Sequence, residues 1–184
     1  LAKKYNTIGF DLNNERINEL ERCNDRSGEV SSEKLKSVDI QYTSDPKQIK
    51  AANIFIISVP TPIDEQKIPN LTPLLSATKM VGKVLKKDDI IIYESTVYPG
   101  CTEERCVPVL EKESGLTYNK EFFCGYSPER INPGDKKRTL TKIVKITSGS
   151  NHVIAEKIND LYSSIIKAGT YIASSIKVAE AAKI

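Results

Sequence analysis

The chain contains 184 residues, which is enough for one full domain with a sizeable core and the start of a second. Its hydrophobic fraction of 39% and charged fraction of 28% are those of an ordinary globular protein, and no apolar run approaches the ~20 residues of a membrane helix. The net charge is only +3, with basic residues scattered among acidic ones, so neither a nucleic-acid partner nor a membrane is expected, and the cytoplasm is the expected location.

The cysteine and histidine content excludes several kinds of catalytic and metal site. Cys101 and Cys106 are five residues apart, which on a regular α-helix would point them about 140° away from each other. The single histidine, His152, excludes a Ser-His-Asp or two-histidine metal mechanism within this chain. No metal site is predicted. The cysteines show neither a C-x-x-C pair nor a zinc spacing and are interpreted as reduced structural thiols: Cys23, Cys101, Cys106 and Cys124.

The first predicted strand, residues 7–11, ends in an acidic residue. Residues 1–5 have the character of a helix end, and the short apolar strand after them finishes at Asp11. In dinucleotide-binding βαβ units, an acid at the end of the second strand binds the ribose hydroxyls. The glycine-rich turn that would precede such a strand is absent, so an acid placed there by chance on the surface is the alternative.

A helix and a strand are predicted next. Asn13 or Asn14 caps a helix that carries Arg16 in its first turn. Residues 38–43 alternate apolar and polar side chains, as a half-exposed strand does. Another helix begins at residues 44–46, with proline in its first turn.

The remaining chain alternates strands with helices. Residues 53–59 form a continuous β-branched run, which is typical of a parallel strand covered on both faces. Further strands are predicted at residues 89–95, 122–126 and 143–147, and helices at residues 72–85, 101–114 (with a kink at Pro108), 153–165 and 174–184. We therefore predict an α/β fold with a doubly wound, mostly parallel, Rossmann-like sheet.

Loops that leave the predicted strands contain the candidate functional residues. A rigid Pro-Thr-Pro turn exposes the Thr61 hydroxyl at the edge of the sheet. The loop at residues 125–135 contains two prolines and two glycines, and it presents Glu129, Arg130 and Asn132. Ligands of open α/β sheets bind outside the carboxyl ends of the strands, so these side chains are candidates for acid/base work and for phosphate or sugar binding. The alternative is a solvated surface turn with a local ion pair.

These loops together closely resemble those of the UDP-glucose/GDP-mannose dehydrogenase family, the nucleotide-sugar 6-dehydrogenases. The motifs are Val-Pro-Thr-Pro at residues 59–62, Glu-Ser-Thr-Val-Tyr-Pro-Gly at 94–100 and Tyr-Ser-Pro-Glu-Arg-Ile-Asn-Pro-Gly-Asp at 126–135. Gly-Phe-Asp at 9–11 and Ser-Ser-Ile-Lys-Val-Ala-Glu-Ala-Ala-Lys at 174–183 add to the resemblance, which covers nearly the whole chain. It is strongest to the bacterial branch that acts on UDP-N-acetylhexosamines for surface polysaccharide synthesis.

The resemblance implies an activity and a domain organisation. Members of the family oxidise the C6 alcohol of a UDP-sugar to a carboxylate through two hydride transfers to NAD, with a cysteine thioester as intermediate. Residues 1–173 would be the NAD-binding Rossmann-like domain, without its first strand and glycine-rich loop, and residues 174–184 the start of the interdomain helix. The nucleophilic cysteine would lie beyond this chain, which alone would be inactive. The full-length protein would be a homodimer or higher homo-oligomer.

The resemblance also implies roles for individual residues. Asp11 and Arg16 would bind the adenosine ribose of NAD, an acid there selecting NAD over NADP. Glu129 would assist thioester hydrolysis, Thr96 would help to place the water, and Lys183 would be the catalytic lysine beside the developing alkoxide at C6. The implied contacts are to the dinucleotide (Val59, Pro60, Thr61, Ser95 and Thr96) and to the sugar nucleotide (Glu129, Arg130, Ile131, Asn132 and Lys183).

Two other functions are kept as alternatives. A hydroxyacid-type Rossmann dehydrogenase needs one hydride transfer and no thiol, so its full-length protein would carry no second domain with a catalytic cysteine. A non-catalytic nucleotide-binding module would tolerate the loss of Glu129 and Lys183.

Overall fold

The computed structural model describes residues 1–63, 65–129 and 142–183. By its internal contacts the chain divides into two units, Leu1–Ala52 and Asn53–Ile184, each of which has its own parallel strands. The sequence prediction of an α/β fold with parallel, Rossmann-like strands is confirmed.

The first unit is built on two parallel strands. Strand β1 (Thr7–Phe10) pairs with β2 (Ile40–Thr43), with Thr7 opposite Ile40. Between them lie α1 (Asn14–Glu21) and α2 (Ser32–Lys36), and a 3-10 helix (Gln48–Ala51) follows β2.

Two local features of the first unit bear on the sequence predictions. The cap of α1 is Asn13, whose side chain accepts hydrogen bonds from the N–H groups of Glu15 and Arg16, so the first of the two predicted alternatives is confirmed. The chain start is a single hydrogen-bonded turn, in which the carbonyl of Leu1 accepts from Lys4 and Tyr5, rather than the predicted end of a helix.

The second unit contains a three-stranded parallel sheet. Strand β4 (Ile90–Tyr93) lies between β3 (Ile54–Ile57) and β5 (Phe123–Tyr126), and all four of its residues are buried. Both pairings are parallel and in matched register, so that Ile57, Tyr93 and Tyr126 lie side by side at the end of the three strands. The loops after the three strands therefore leave from one edge of the sheet.

A second pair of parallel strands in this unit consists of β6 (Lys145–Thr147) and β7 (Thr170–Ile172). An isolated antiparallel bridge joins Gly125 of β5 to Gly149 after β6. Gly125 has no room for a side chain, because a Cβ there would lie 2.2 Å from Cδ1 of Ile158 and 2.5 Å from the carbonyl oxygen of Ser148. The close approach of β6 to β5 thus depends on this glycine.

The α-helices in the described part of the second unit are α3 (Thr72–Gly82), α4 (Val107–Ser114), α5 (His152–Ser163) and α6 (Ile176–Ala181). As predicted, α5 is amphipathic: Ile154, Ile158 and Tyr162 pack against Ile90 and Ile92 of β4 in the core. Among the described helices, none has both the length and the apolar character that a bilayer span requires.

The predicted kink near Pro108 takes the form of a π-helical turn, Thr102–Cys106, just before α4. Proline has no N–H to donate, and here the N–H of Val107 reaches back five residues to the carbonyl of Thr102. In such a turn residues five apart face nearly the same side, and the interaction with the thiol of Cys106 lowers the pKa of Cys101. The prediction that they point away from each other was therefore wrong.

Candidate active site at the carboxyl edge of the parallel sheet

The loops after β3, β4 and β5 meet at one edge of the sheet. Ser95, directly after β4, donates a hydrogen bond from Oγ to the carbonyl of Val59 at 2.6 Å. The hydroxyl of Tyr126 donates to the carbonyl of Ser95 at 3.0 Å. These contacts connect each loop to the next. Because the three strands are parallel, Thr61, Thr96 and Glu129 follow them at the same edge of the sheet, as predicted.

Thr61 differs from the expectation of an exposed hydroxyl. Its Oγ1 is buried, and among the described residues it has no hydrogen-bond partner. Since buried hydroxyls are almost always paired, this one calls for a partner such as a water, an ion or a bound ligand. The neighbouring positions are more open: Pro60 and Thr96 are exposed and Val59 is half-buried.

Two of the three residues of this unit that were predicted to be catalytic, Glu129 and Lys183, lie together. Lys183 follows α6, and its ammonium group donates a hydrogen bond to the backbone carbonyl of Glu129. The side chain of Glu129 is 39% exposed, so its carboxylate is partly accessible to a substrate. An ammonium and a carboxylate at one strand exit can stabilise an oxyanion and accept a proton, respectively.

A buried lysine, which the sequence reasoning missed, contacts the residues that follow β5. Lys145 of β6 is 3% exposed, and its Nζ lies 2.8 Å from Oε1 of Glu94 and 3.9 Å from Oε2 of Glu129. It also donates to the carbonyl of Pro128 at 3.3 Å and lies 5.2 Å from the ring centre of Tyr162. A lysine in the middle of the apolar run Ile-Val-Lys-Ile was the sequence signal that could have indicated it.

Tyr162 of α5 completes this cluster. Its hydroxyl donates to Oε1 of Glu94 at 2.7 Å, the same oxygen that Lys145 contacts. Burial, and then the negative charge of Glu94, raise the pKa of Tyr162 well above its usual value, so the hydroxyl stays a donor.

A buried acid that the sequence reasoning also missed, Glu180, anchors α6. It is fully buried, and its carboxylate accepts hydrogen bonds from the N–H groups of Gly100 at 2.5 Å and Thr102 at 2.8 Å. These N–H groups belong to the start of the helix after β4, where the helix dipole favours a negative charge. Glu180 lies three residues before Lys183, so this contact also fixes the position from which Lys183 reaches Glu129.

In the first unit, Asp11 lies at the end of β1, where it is exposed, and its Oδ1 accepts from the N–H of Asn13 at 2.8 Å. The guanidinium of Arg16 lies 2.6 Å from Oδ1 of Asp25 and 3.5 Å from Glu19. Arg16 therefore holds the loop after α1 in addition to the ribose contact predicted for it.

The predicted sugar-nucleotide contacts Arg130, Ile131 and Asn132 lie outside the described residues. Their roles stay predictions.

Comparison with known proteins identifies relatives over the whole chain. Residues 2–166 match the NAD binding domain of the UDP-glucose/GDP-mannose dehydrogenase family. The chain is 57% identical over 184 residues to UDP-N-acetyl-D-glucosamine 6-dehydrogenase of Pseudomonas aeruginosa, covering 100% of this chain and 44% of that protein. It is 56% identical over 183 residues to protein CapL of Staphylococcus aureus, covering 100% of this chain and 43% of that protein.

A solved structure shows the same architecture. The UDP-D-ManNAc dehydrogenase of Pyrococcus horikoshii is 27% identical, with a TM-score of 0.84 over 97% of this chain and 43% of that one. The chain thus spans less than half the length of the relatives that it matches.

Proposed function

Because the chain belongs to the UDP-glucose/GDP-mannose dehydrogenase family and carries that family's NAD binding domain, we propose that it is the N-terminal part of an NAD-dependent UDP-N-acetylhexosamine 6-dehydrogenase. The observation that carries this proposal is the contact between Lys183 and the carbonyl of Glu129 at the carboxyl edge of the sheet. The product would serve surface polysaccharide synthesis in the cytoplasm, and the full-length protein would be a homo-oligomer.

Each unit, taken by itself, offers a polar group suited to NAD. The orphaned hydroxyl of Thr61 provides an unsatisfied polar atom at the exit of β3, where the family binds the dinucleotide. Asp11 provides an exposed carboxylate at the end of β1, suited to accept from ribose hydroxyls. An NAD bound here would accept one of the two hydrides that leave C6 of the sugar, and a second NAD would accept the other.

The roles proposed for Lys183 and Glu129 follow from the charges of their side chains. In the first oxidation the alcohol loses its proton as the hydride leaves, and the ammonium of Lys183 stabilises the negative charge that develops on the oxygen. The cysteine thiol that the family resemblance implies would add to the resulting aldehyde as a thiohemiacetal, and loss of the second hydride from this adduct would give a thioester. Glu129 then takes a proton from a water positioned by Thr96, and the attack of this water releases the carboxylate and the thiol.

The full-length protein that carries this chain provides the test, with UDP-N-acetylglucosamine as substrate. We expect two NADH per sugar. Glu129→Gln keeps the size of the side chain and removes the base, so turnover should fall by roughly 10²–10⁴ while a first burst of NADH persists and a covalent sugar adduct accumulates. Lys183→Ala should lose most of the burst as well. Stopped-flow absorbance and intact mass measure the two events.

The control is Lys177→Ala, which removes an exposed lysine from the same helix and should leave both phases unchanged. The proposal is overturned if Glu129→Gln turns over normally, or if it loses its burst as fully as Lys183→Ala. One NADH per substrate without an adduct would favour a hydroxyacid-type dehydrogenase instead.

A further inference from the structure

Lys145 is a buried cation for which the proposed chemistry provides no direct use. A buried ammonium is costly unless it is paired and hydrogen-bonded, and Glu94 provides the pair. The contacts of Lys145 extend further, however, because its Nζ also donates to the carbonyl of Pro128 and lies 3.9 Å from the carboxylate of Glu129. A lysine that only neutralised Glu94 would need neither the hydrogen bond to Pro128 nor the proximity to Glu129.

The sharing of Glu94 explains how Lys145 can act on a second carboxylate. Oε1 of Glu94 accepts from the hydroxyl of Tyr162 as well as from Lys145, so part of the charge on that oxygen is balanced by the phenol. The ammonium therefore keeps a net attraction for Glu129, the other acid within 4 Å of it among the described residues.

The backbone of the β5 exit loop is held from two sides. Lys145 donates to the carbonyl of Pro128, and Lys183 donates to the next carbonyl along the chain, that of Glu129. Two ammonium groups from different elements, β6 and the turn after α6, thus restrain the peptide units on either side of the Glu129 Cα. Such restraint fixes the position of the Glu129 Cα and the direction in which its side chain leaves the backbone.

We propose that Lys145 is a positioning residue for Glu129: it fixes the peptide before Glu129 and draws the carboxylate to the side from which the hydrolytic water is activated. The inference rests on the proposed role of Glu129 in thioester hydrolysis. A misplacement of about 1 Å at a reacting group costs on the order of 10²-fold in rate, so this restraint matters even though Lys145 does not touch the substrate.

The test uses the full-length protein with Lys145→Met, Glu94→Gln and the double variant Lys145→Met/Glu94→Gln. Lys145→Met leaves Glu94 buried without its cation and should lower the melting temperature. The double variant removes the ion pair as a unit and should regain most of that stability, since a buried pair can be replaced by groups of similar volume at little cost. Lys142→Met, at an exposed lysine three residues earlier in the chain, is the matched control.

Kinetics separate positioning from stability. We expect the stable double variant to keep its first burst of NADH, to accumulate the covalent sugar adduct and to turn over about 10–100-fold more slowly than the wild type. Glu94→Gln alone should turn over near the wild-type rate, because Lys145 is still present. If the double variant turns over at the wild-type rate, or if its burst and steady state fall in parallel, Lys145 does not position Glu129.

The same experiment distinguishes this inference from the function on which it rests. If Glu129→Gln itself accumulates no adduct, the role of Glu129 in hydrolysis is wrong. If Glu129→Gln accumulates the adduct and the double variant does not, only the role of Lys145 is wrong.

Discussion

Two carboxylates at the sheet edge of the second unit, the fully buried Glu180 and the partly buried Glu94, are satisfied in opposite ways. Glu180 accepts from two backbone N–H groups at the start of a helix, whereas Glu94 accepts from the side chains of Lys145 and Tyr162. The two N–H groups that bind Glu180 are part of the backbone, so their positions are set by the fold. The ammonium of Lys145, in contrast, also reaches the loop that carries Glu129. The first arrangement fixes an element, and the second connects the core to a candidate catalytic group.

If Glu180 only fixes α6, its removal should give a large loss of stability. Glu180→Ala leaves two buried N–H groups unpaired at once and should lower the free energy of unfolding by about 3–5 kcal/mol. Urea denaturation measures this. Glu156→Ala, at an exposed acid on α5 whose contact with His152 is also exposed, is the control and should cost at most about 0.5 kcal/mol. A loss below about 1 kcal/mol for Glu180→Ala would contradict the comparison.

A third paired carboxylate, in the first unit, combines both kinds of partner. Asp25 is 2% exposed and accepts from the guanidinium of Arg16 and from the N–H groups of Ser27 and Val30. Burial opposes ionisation, but hydrogen bonds from Ser27, Arg16 and the backbone outweigh it and hold the pKa of Asp25 well below its usual value. We therefore expect an intermediate effect from Asp25→Asn, a loss of about 1–2 kcal/mol at pH 7.

The sign of its pH dependence follows from the lowered pKa. A carboxylate with a lower pKa in the folded state contributes stability that is fully present above about pH 4 and is lost as the pH falls below that. The difference between wild type and Asp25→Asn should therefore shrink from pH 7 to pH 3 in urea denaturation. A difference that stayed constant over this range would be incompatible with the ion pair, and Asp39→Asn, at an exposed acid of the same unit, is the control.

The smallest effect is expected at the phenol that shares Glu94 with Lys145. Tyr162→Phe keeps the ring beneath the ammonium and removes one hydrogen bond to Glu94, which should cost about 1 kcal/mol of unfolding free energy. A double-mutant cycle with Glu94→Gln should give a coupling energy clearly different from zero, because the two groups are in contact. Strict additivity would show that the two side chains do not share this interaction.

The sequence was sufficient for the parts of the fold that have a strong local signal. The β-branched runs predicted β3 and β4, and the prolines and glycines after them predicted the loops that meet at one edge. Strand β7 was missed because it has only three residues, two of them exposed, which gives no detectable alternation. The π-helical turn before α4 was missed because proline indicates an interrupted helix without indicating which hydrogen bond replaces the missing one.

The site residues that a motif identifies could be predicted from the sequence. Those whose role depends on tertiary contacts could not. Glu129 and Lys183 lie in motifs, and the structure brings them together across 54 residues. Lys145 lies in a segment that otherwise reads as an ordinary strand. Glu180 lies in the same motif as Lys183, but the motif does not indicate that its carboxylate is buried, and the partners of both residues are distant in the sequence. Whether a charged residue in such a segment is buried depends on pairings that sequence pattern alone does not specify.

The anchoring of α6 by Glu180 has a consequence for local opening. The N–H groups of Gly100 and Thr102 are hydrogen-bonded to a side chain of α6, so their protons can exchange with solvent only when that helix detaches. The same detachment withdraws Lys183 from the carbonyl of Glu129. Two loops that leave different strands are thus released by one event, and amide exchange at Gly100 would report how often the β5 exit loop loses its lysine.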